Sequence, residues 1–151
     1  MINEDYMREA LALAREAAAA GEVPVGCVVV WEDKIIGRGR NRREEDHDAL
    51  AHAELAAIKQ ACDAMGGWRL GKARLYVTLE PCPMCAGGII NSRVAEVYYG
   101  AKDEKAGACG SVLNLFEERF NHKPRLYGGI LEQECAQVLQ DFFASLRSGT
   151  H

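Results

Sequence analysis

The stretch ARLYVTLEPCPMCAGGII, residues 73–90, predicts a β-strand that runs directly into an α-helix. Its first part, 73–79, is apolar and rich in residues that favour strands. Pro83 suits the first turn of a helix over 83–92, where the missing N–H of proline is not required. Cys82 and Cys85 stand three positions apart at this helix start and can face the same way. The stretch therefore predicts a strand–helix unit with two thiols at its junction.

Helix and strand patterns alternate along the rest of the chain. Asn3, followed by Glu4 and Asp5, is typical of a capped helix start, and Gly21 ends this first helix. Further strands are expected at 24–31, 34–41, 96–100 and 125–128. Further helices are expected at 53–65, with Leu55, Ile58 and Cys62 on its apolar face, near 112–118, and along a final apolar stripe from Leu131 to Leu146.

The order of these elements indicates the fold class. The pattern α-β-β-α-β-α-β-α-β-α predicts an α/β fold in which a mixed sheet of about five strands is covered by helices on both faces. No repeat, linker or low-complexity segment interrupts it. We therefore expect a single domain over 1–151.

The composition is that of an ordinary globular domain. Of the 151 residues, 48% are hydrophobic and 26% are charged, and the formal net charge is −4. This mild acidity argues against a protein that coats nucleic acid non-specifically, since such binding needs many phosphate contacts. The acidic start MINEDYMREA does not fit a secretory signal, and no apolar stretch has membrane-spanning length. We expect a cytoplasmic protein without membrane contact, whose six cysteines are thiols or metal ligands rather than disulfides.

The cysteine pair alone leaves its function open. A C-x-x-C pair beside β-α-β elements suits a thioredoxin-like redox site, or half of a four-ligand structural zinc site completed by His47, His122 or another cysteine. The sequence HAE at 52–54, at the start of the preceding helix, favours a third possibility. His52 supplies a third zinc ligand and Glu54 a general base, whereas a redox pair or a closed zinc clamp has no use for that acid.

Three protein ligands leave the fourth position of zinc open to water. His52, Cys82 and Cys85 balance the charge of Zn²⁺, while the ion lowers the pKa of bound water toward neutrality. Glu54 is then placed to take the proton of this water and deliver it to a substrate nitrogen. The pattern predicts a hydrolytic deaminase, provided that the strands before the two helices are neighbours and both helix starts open at one sheet edge.

The combination H-x-E and P-C-x-x-C resembles the signature of the zinc-dependent nucleobase deaminases, which implies their three-layer cytidine-deaminase-like α/β/α fold and one Zn²⁺ per subunit. The chain is more closely similar to the bacterial tRNA-specific adenosine deaminases over nearly its whole length. The resemblance is carried by GEVPVGCVVV, AHAE, LYVTLEPCPMCAGGIINSR, YYGAKDEKAGACGS, NH at 121–122 and DFF at 141–143.

The resemblance implies hydrolytic deamination to inosine of the wobble adenosine of an arginine tRNA, which is flipped out of the anticodon loop. It also implies a homodimer, and the small residues Ala86, Gly87 and Gly88 permit close helix packing within or between chains.

The resemblance further implies substrate contacts outside the metal motif. Asn41 and Asp103 match residues that contact the target nucleoside or its neighbour, Asn121 and His122 match a loop near the anticodon bases, and Phe142 lies in a terminal helix that packs against the RNA. Simpler roles are also open. Asn41 can shape a turn, Asp103 can belong to a solvated charge cluster, and Phe142 can pack in the core.

One departure and one charge pattern bear on the substrate. The family usually has Asp-Pro-Thr before Ala-His-Ala-Glu, whereas this chain has Asp48-Ala49-Leu50. The metal ligands are intact, but the loop beside the pocket is altered, so deamination of a free base or nucleoside (guanine, cytosine or cytidine) is the alternative function. The basic stretch GRGRNRR, 37–43, suits a rim that meets the anticodon stem-loop of tRNA, unless RREED, 42–46, is a self-neutralising loop.

Overall fold

The alternation of helices and strands is confirmed by the structure, a computed structural model that describes residues 2–149. The helices are α1 (Asn3–Ala19), α2 (Ala53–Met65), α3 (Pro83–Ser92) and α4 (Glu132–Ser148). The strands are β1 (Gly26–Trp31), β2 (Lys34–Arg40), β3 (Arg74–Leu79), β4 (Glu96–Ala101) and β5 (Arg125–Tyr127). Residues 1, 150 and 151 of the predicted domain lie outside the described range. Within that range, no helix is both long enough and apolar enough to cross a membrane.

A five-stranded mixed sheet in the order β2-β1-β3-β4-β5 forms the middle layer, as expected. β1 pairs antiparallel with β2, where Gly26 lies opposite Arg40, and with β3, where Val28 lies opposite Tyr76. β4 and β5 then add in parallel to β3. Because β2 and β3 both run opposite to β1, the carboxyl ends of every strand except β1 lie at the same edge of the sheet.

Helices cover both faces of this sheet, which confirms the three-layer α/β/α fold. Residues of α1 and α4 share one core with Val28 and Tyr76. Residues of α2 and α3 share the other core with Val29 and Val77. Successive residues of one strand thus enter opposite cores, which is why β1 and β3 are buried almost throughout and apolar at nearly every position.

The predicted capping role of Asn3 is wrong. Asn3 is the first helical residue, and Ile2 precedes it in an extended conformation. The Asn3 Oδ1 accepts a hydrogen bond from the Tyr76 hydroxyl at 2.5 Å, so this side chain fastens α1 to β3. Asp5 supports the first turn instead, because its Oδ2 accepts the Ile2 N–H at 3.0 Å.

The structure differs in detail from the prediction in α2, in the segment near 112–118 and in α4. The buried face of α2 includes Ala57 and Ala61 with Ile58, whereas Leu55 and Cys62 are only half-buried. Alanine fits the buried positions of α2 because the helix backbone lies very close to β2. The helix expected near 112–118 is a single 3₁₀ turn, Leu115–Glu117, and the Asn114 side chain accepts the Phe116 N–H in this turn. In α4, the buried positions of the predicted stripe are Cys135 and Phe142, and Leu146 is 49% exposed.

Two glycines of β2 allow this close approach. A Cβ atom at Gly37 would lie 2.1 Å from the carbonyl oxygen of Ala57, and one at Gly39 would lie 2.3 Å from that of Ala53. Both obstacles are helix backbone, which cannot move aside as a flexible side chain can. Gly39 therefore seats the first residue of α2 on the sheet, directly beside His52.

We predict that Gly39→Ala destabilises the protein by about 3 kcal/mol, the upper range for overpacking a core. Gly71→Ala is the matched control, because a Cβ atom there would meet nothing within 4 Å. Urea denaturation followed by circular dichroism measures both variants. Equal unfolding midpoints for the two would contradict the packing described for β2 and α2.

Candidate active site

The starts of α2 and α3 bring one imidazole and two thiols together. His52 immediately precedes α2, and Cys82 immediately precedes α3. The His52 Nδ1 lies 3.6 Å from the Cys82 Sγ and 3.4 Å from the Cys85 Sγ. Contrary to expectation, the preceding strands β2 and β3 are not neighbours, because β1 lies between them. The helix starts still meet, since β2 and β3 run in the same direction and end at the same sheet edge.

These three side chains can hold a metal ion. One donor atom from each of His52, Cys82 and Cys85 lies within 4.8 Å of the others. Sulfur and imidazole nitrogen are donors that suit zinc, and three protein ligands are the number found at catalytic zinc sites. The helix N-terminus at Cys82 also favours thiolates over thiols. The donor set therefore fits a zinc ion, and no second such group is found among residues 2–149.

Neither alternative for the cysteine pair fits this geometry. His47 lies exposed in the loop before α2, and the His122 Nε2 hydrogen-bonds to the Val94 carbonyl at 2.6 Å. Neither histidine belongs to the group that could hold a metal, so neither completes a four-ligand clamp. No disulfide joins any of the six cysteines, and a redox pair by itself does not account for the approach of His52 to both sulfur atoms.

Glu54 lies in the first turn of α2, and its side chain is buried. Burial raises the pKa of this carboxyl to about 7, despite the opposing effects of a backbone hydrogen bond and of nearby His52. A carboxyl that titrates near neutrality can both accept and release a proton at physiological pH. Glu54 therefore has the properties of a general acid–base residue next to the three side chains that could hold a metal ion.

The two thiols differ in protonation. A hydrogen bond from the Cys85 thiol, helped by His52, lowers the pKa of Cys82 to about 4 against the effect of burial. The same interaction, together with burial, raises the pKa of Cys85. The hydrogen bond with Cys82 raises the pKa of His52. Cys82 is therefore a thiolate at neutral pH and is ready to bind a cation.

A pocket of about 210 Å³ opens over these groups. Its walls include His52, Glu54 and Cys82, and also Asn41 and Asp103, two of the residues expected to contact the substrate. Apolar side chains, Val23, Val25 and Leu79, complete much of the lining. A largely apolar cleft with a few convergent polar groups is typical of small-molecule and nucleobase sites.

Asn41 and Asp103 shape the loops that they stand on as well as lining the pocket. The Asn41 Nδ2 donates to the Val23 carbonyl at 3.2 Å, and its Oδ1 accepts the Arg43 N–H at 3.2 Å. The Asp103 Oδ1 accepts the backbone N–H groups at 105 and 106, at 3.1 and 3.2 Å. The turn-shaping role considered for Asn41 is therefore present, and it is compatible with a substrate contact from the same position.

Three other expected contact residues, Asn121, His122 and Phe142, do not line this pocket. The bond from His122 to Val94, just before β4, places the 121–122 segment at the opposite end of the sheet from the pocket. Phe142 is buried, as core packing requires, but it also borders an adjoining groove. That groove shares Val23, Asn41 and Arg43 with the pocket.

The basic stretch at 37–43 is partly neutralised. Arg40 lies 2.6 Å from the Glu45 carboxylate, and Arg42 lies 3.2 Å from that of Asp46. The RREED segment is therefore self-neutralising to this extent. Arg43 lines both the pocket and the groove, so it is the cation of this stretch placed to meet a substrate.

Two buried carboxylates near the pocket are missing from the sequence-based site. Glu80 lines the pocket, Glu22 borders the adjoining groove, and both are almost fully buried. An acidic residue inside an apolar run, as in GEVPVG and VTLEPC, is the signal that indicates them. Such residues are almost never buried unless they are paired or hydrogen-bonded.

Comparison with known proteins agrees with this geometry. Residues 1–147 match the family model of the MafB19-like deaminases. The tRNA-specific adenosine deaminase of Bacillus subtilis (strain 168) is 51% identical over 146 residues, covering 96% of this chain and 91% of that protein. A solved structure from studies of A-to-I editing by tRNA:A34 deaminases at the wobble position of transfer RNA gives a TM-score of 0.87 at 46% identity, over 89% of this chain and 99% of that one. A guanine deaminase from Bacillus subtilis is more distant, with a TM-score of 0.67 at 31% identity over 98% and 95% of the two chains.

The difference between the thiols predicts selective alkylation of the metal-free protein. At pH 6, iodoacetamide should modify Cys82 first, because its pKa of about 4 leaves it as a thiolate, and this selectivity should fade as the pH falls through that value. Cys109 is the internal control, since burial raises its pKa to about 12. Mass spectrometry of tryptic peptides measures both sites. Faster labelling of Cys109 than of Cys82 would contradict the assigned protonation states.

Proposed function

The chain belongs to the tRNA-specific adenosine deaminase family, and from this premise we propose that it converts adenosine to inosine at the wobble position of the tRNA anticodon loop. The observation that carries the proposal is the buried Glu54, whose pKa is raised to about 7 and which lines the same pocket as His52 and Cys82 of the group that could hold a metal. Water adds to C6 of adenine and ammonia leaves, so the chemistry needs a residue that accepts a proton and then returns it.

We assign one zinc ion per chain to His52, Cys82 and Cys85. The mixed sulfur and imidazole donors support this choice over magnesium or calcium, which prefer oxygen ligands. When bound, zinc supplies Lewis acidity that lowers the pKa of water. Glu54 holds the proton taken from that water and delivers it to the substrate nitrogen, and its burial keeps competing bulk water away.

Substrate contacts divide between the pocket and its surroundings. Asn41 and Asp103 are proposed to hold the target nucleoside, because both line the pocket. Phe142 is proposed to contact an adjacent part of the RNA, because it borders the groove that continues from the pocket. The proposed contacts of Asn121 and His122, at the far end of the sheet, require RNA that extends beyond this pocket or that is held by a second subunit.

The proposed setting follows from the substrate. An arginine tRNA presented as its anticodon stem-loop is the expected partner, and a cytoplasmic location is proposed because tRNA is decoded there. Arg43 on the shared wall supplies a cation for the phosphate backbone. The alternative function, deamination of a free base such as guanine, is favoured only by the altered Ala49-Leu50 segment and by the more distant likeness to a guanine deaminase.

A homodimer is also proposed, with the metal-bearing helix α3 at the contact. Ala86 is fully buried within the chain, and a Cβ atom at Gly88 would lie 2.8 Å from Leu55 of α2, so both pack internally. Gly87 differs, because a Cβ atom there would meet nothing within 4 Å. Gly87 is therefore the position on α3 where a second chain can approach closely.

The function is tested by incubating the zinc-loaded protein with a wobble-adenosine stem-loop, free adenosine, guanine and cytosine, and by reading the products by mass spectrometry. Inosine is expected only in the stem-loop.

Glu54→Gln should keep full zinc and RNA binding while turnover falls by about 10²–10⁴-fold, the usual contribution of a general acid–base residue. Cys82→Ser should lose the zinc, and Cys62→Ser, remote from the ligand group, should keep it. Turnover of guanine alone would support the alternative, and full activity of Glu54→Gln would remove Glu54 from the mechanism.

The dimer is tested by sedimentation equilibrium at micromolar concentration. The wild type should sediment at twice the chain mass of 16.6 kDa. Gly87→Arg should shift the protein toward monomer without loss of folding, because the new side chain meets only a partner. Gly71→Arg, at another open position, should leave the dimer intact. A monomeric wild type, or dimers of equal strength in both variants, would contradict the proposed contact.

A further inference from the structure

Glu80 holds one wall of the pocket through its buried carboxylate. It follows β3 and stands two residues before the ligand Cys82. Its Oε1 accepts the Asp103 N–H at 3.1 Å, and its Oε2 accepts the N–H groups of Cys109 at 3.0 Å and Ser111 at 3.1 Å. The Ser111 hydroxyl donates to the same carboxylate. The Glu80 side chain thus hydrogen-bonds to both ends of the segment 103–111, and Asp103 and Ala106 of this segment line the pocket.

Gly107 makes room for this arrangement. A Cβ atom at that position would lie 2.3 Å from the Glu80 Oε2 and 2.5 Å from the Asp103 carbonyl oxygen. The segment is also tied to the metal-binding loop itself, because the Ala108 N–H donates to the Pro81 carbonyl at 2.8 Å. The wall that contains Asp103 therefore has its position set by the residues that lead into the metal ligands.

Glu22 holds the opposite wall in the same way. Its Oε1 accepts the Glu44 N–H at 3.0 Å, and its Oε2 accepts the Glu45 N–H at 2.8 Å. These amides belong to the segment 41–48, which contributes Asn41 and Arg43 to the pocket. Glu22 stands at the end of the turn after α1, so it joins this segment to the body of the fold.

Burial of two carboxylates costs free energy unless every oxygen is hydrogen-bonded. Apolar residues of similar size at the same positions often give a fold of equal stability, so stability alone does not explain these carboxylates. Here both carboxylates bind backbone N–H groups of loops, and each loop supplies polar residues to the pocket. We propose that Glu22 and Glu80 are positioning residues that fix the two walls of the pocket and thereby set the affinity for the RNA substrate rather than the rate of the chemical step. This inference rests on the proposed function for its substrate.

The test uses Glu22→Gln and Glu80→Gln, which keep side-chain size but turn one acceptor into a donor facing an N–H group. KM for the stem-loop should rise by about tenfold or more in each variant, while kcat stays within about threefold and zinc remains stoichiometric. Native-state trypsin should cleave Glu80→Gln faster after Lys102 and Lys105, and Glu22→Gln faster after Arg42 and Arg43. Each variant should expose its own loop and leave the other protected.

Tyr76→Phe is the control for general destabilisation. The Tyr76 hydroxyl donates to Asn3 and accepts from Arg74 on the other face of the sheet, so its loss should change neither KM nor the two cleavage patterns. If Glu80→Gln does not fold, Ser111→Ala is the second test, because it removes one hydrogen-bond donor to the Glu80 carboxylate. It should also raise KM for the stem-loop, but by a smaller factor. Unchanged KM in the glutamine variants, or a fall in kcat equal to the rise in KM, would overturn the proposal. A wild type that deaminates no RNA would refute the proposed function, whereas the cleavage patterns would still decide whether these carboxylates hold the loops.

Discussion

The geometry of the candidate site depends on the antiparallel pairing of β1 with both of its neighbours. Because β2 and β3 each run opposite to β1, they point the same way and end at the same sheet edge. Each of them leads to a helix on the same face of the sheet, and the residues immediately before those helices are His52 and Cys82. If β1 were parallel to one neighbour and antiparallel to the other, the two helix starts would lie at opposite edges and the His52 imidazole would not reach the thiols.

Three buried glutamates around the pocket show how environment assigns different roles to one residue type. Burial dominates at Glu54 and raises its pKa to about 7, which suits proton transfer. Burial also acts on Glu80, but hydrogen bonds from Ser111 and from backbone amides outweigh it and hold the pKa of that carboxyl below its usual value. Glu80 therefore stays ionised and serves as a fixed acceptor. Glu22 likewise accepts hydrogen bonds from two backbone amides of a loop.

Much of this fold and site could be predicted from the sequence because the signals are local. Helical periodicity, β-branched runs and the position of Pro83 predict nearly every element, and the H-x-E and C-x-x-C motifs predict the group His52, Cys82 and Cys85 that the structure brings together. The rest depends on contacts between distant parts of the chain. Asn3 binds Tyr76, 73 positions away, and Glu80 binds amides 23 to 31 positions away. Strand order likewise cannot be deduced from local sequence patterns, so they do not predict that β1 lies between β2 and β3.

The residues proposed to carry out the chemistry and those proposed to select the substrate lie in different parts of the molecule. The candidate metal ligands and Glu54 lie at the starts of helices that pack on the sheet, and Gly37 and Gly39 of β2 allow α2 to approach closely. The residues proposed to select the substrate lie on loops, which are held by a small number of side-chain hydrogen bonds. The segment with Ala49-Leu50 illustrates the consequence. The Asp48 Oδ1 accepts the Leu50 N–H at 2.8 Å, and the Arg42 N–H donates to the Ala51 carbonyl at 3.0 Å, so a defined turn forms without the usual proline. A change in such a loop alters the surroundings of the pocket, while the candidate ligand His52, two residues after Leu50, keeps its place because it immediately precedes α2.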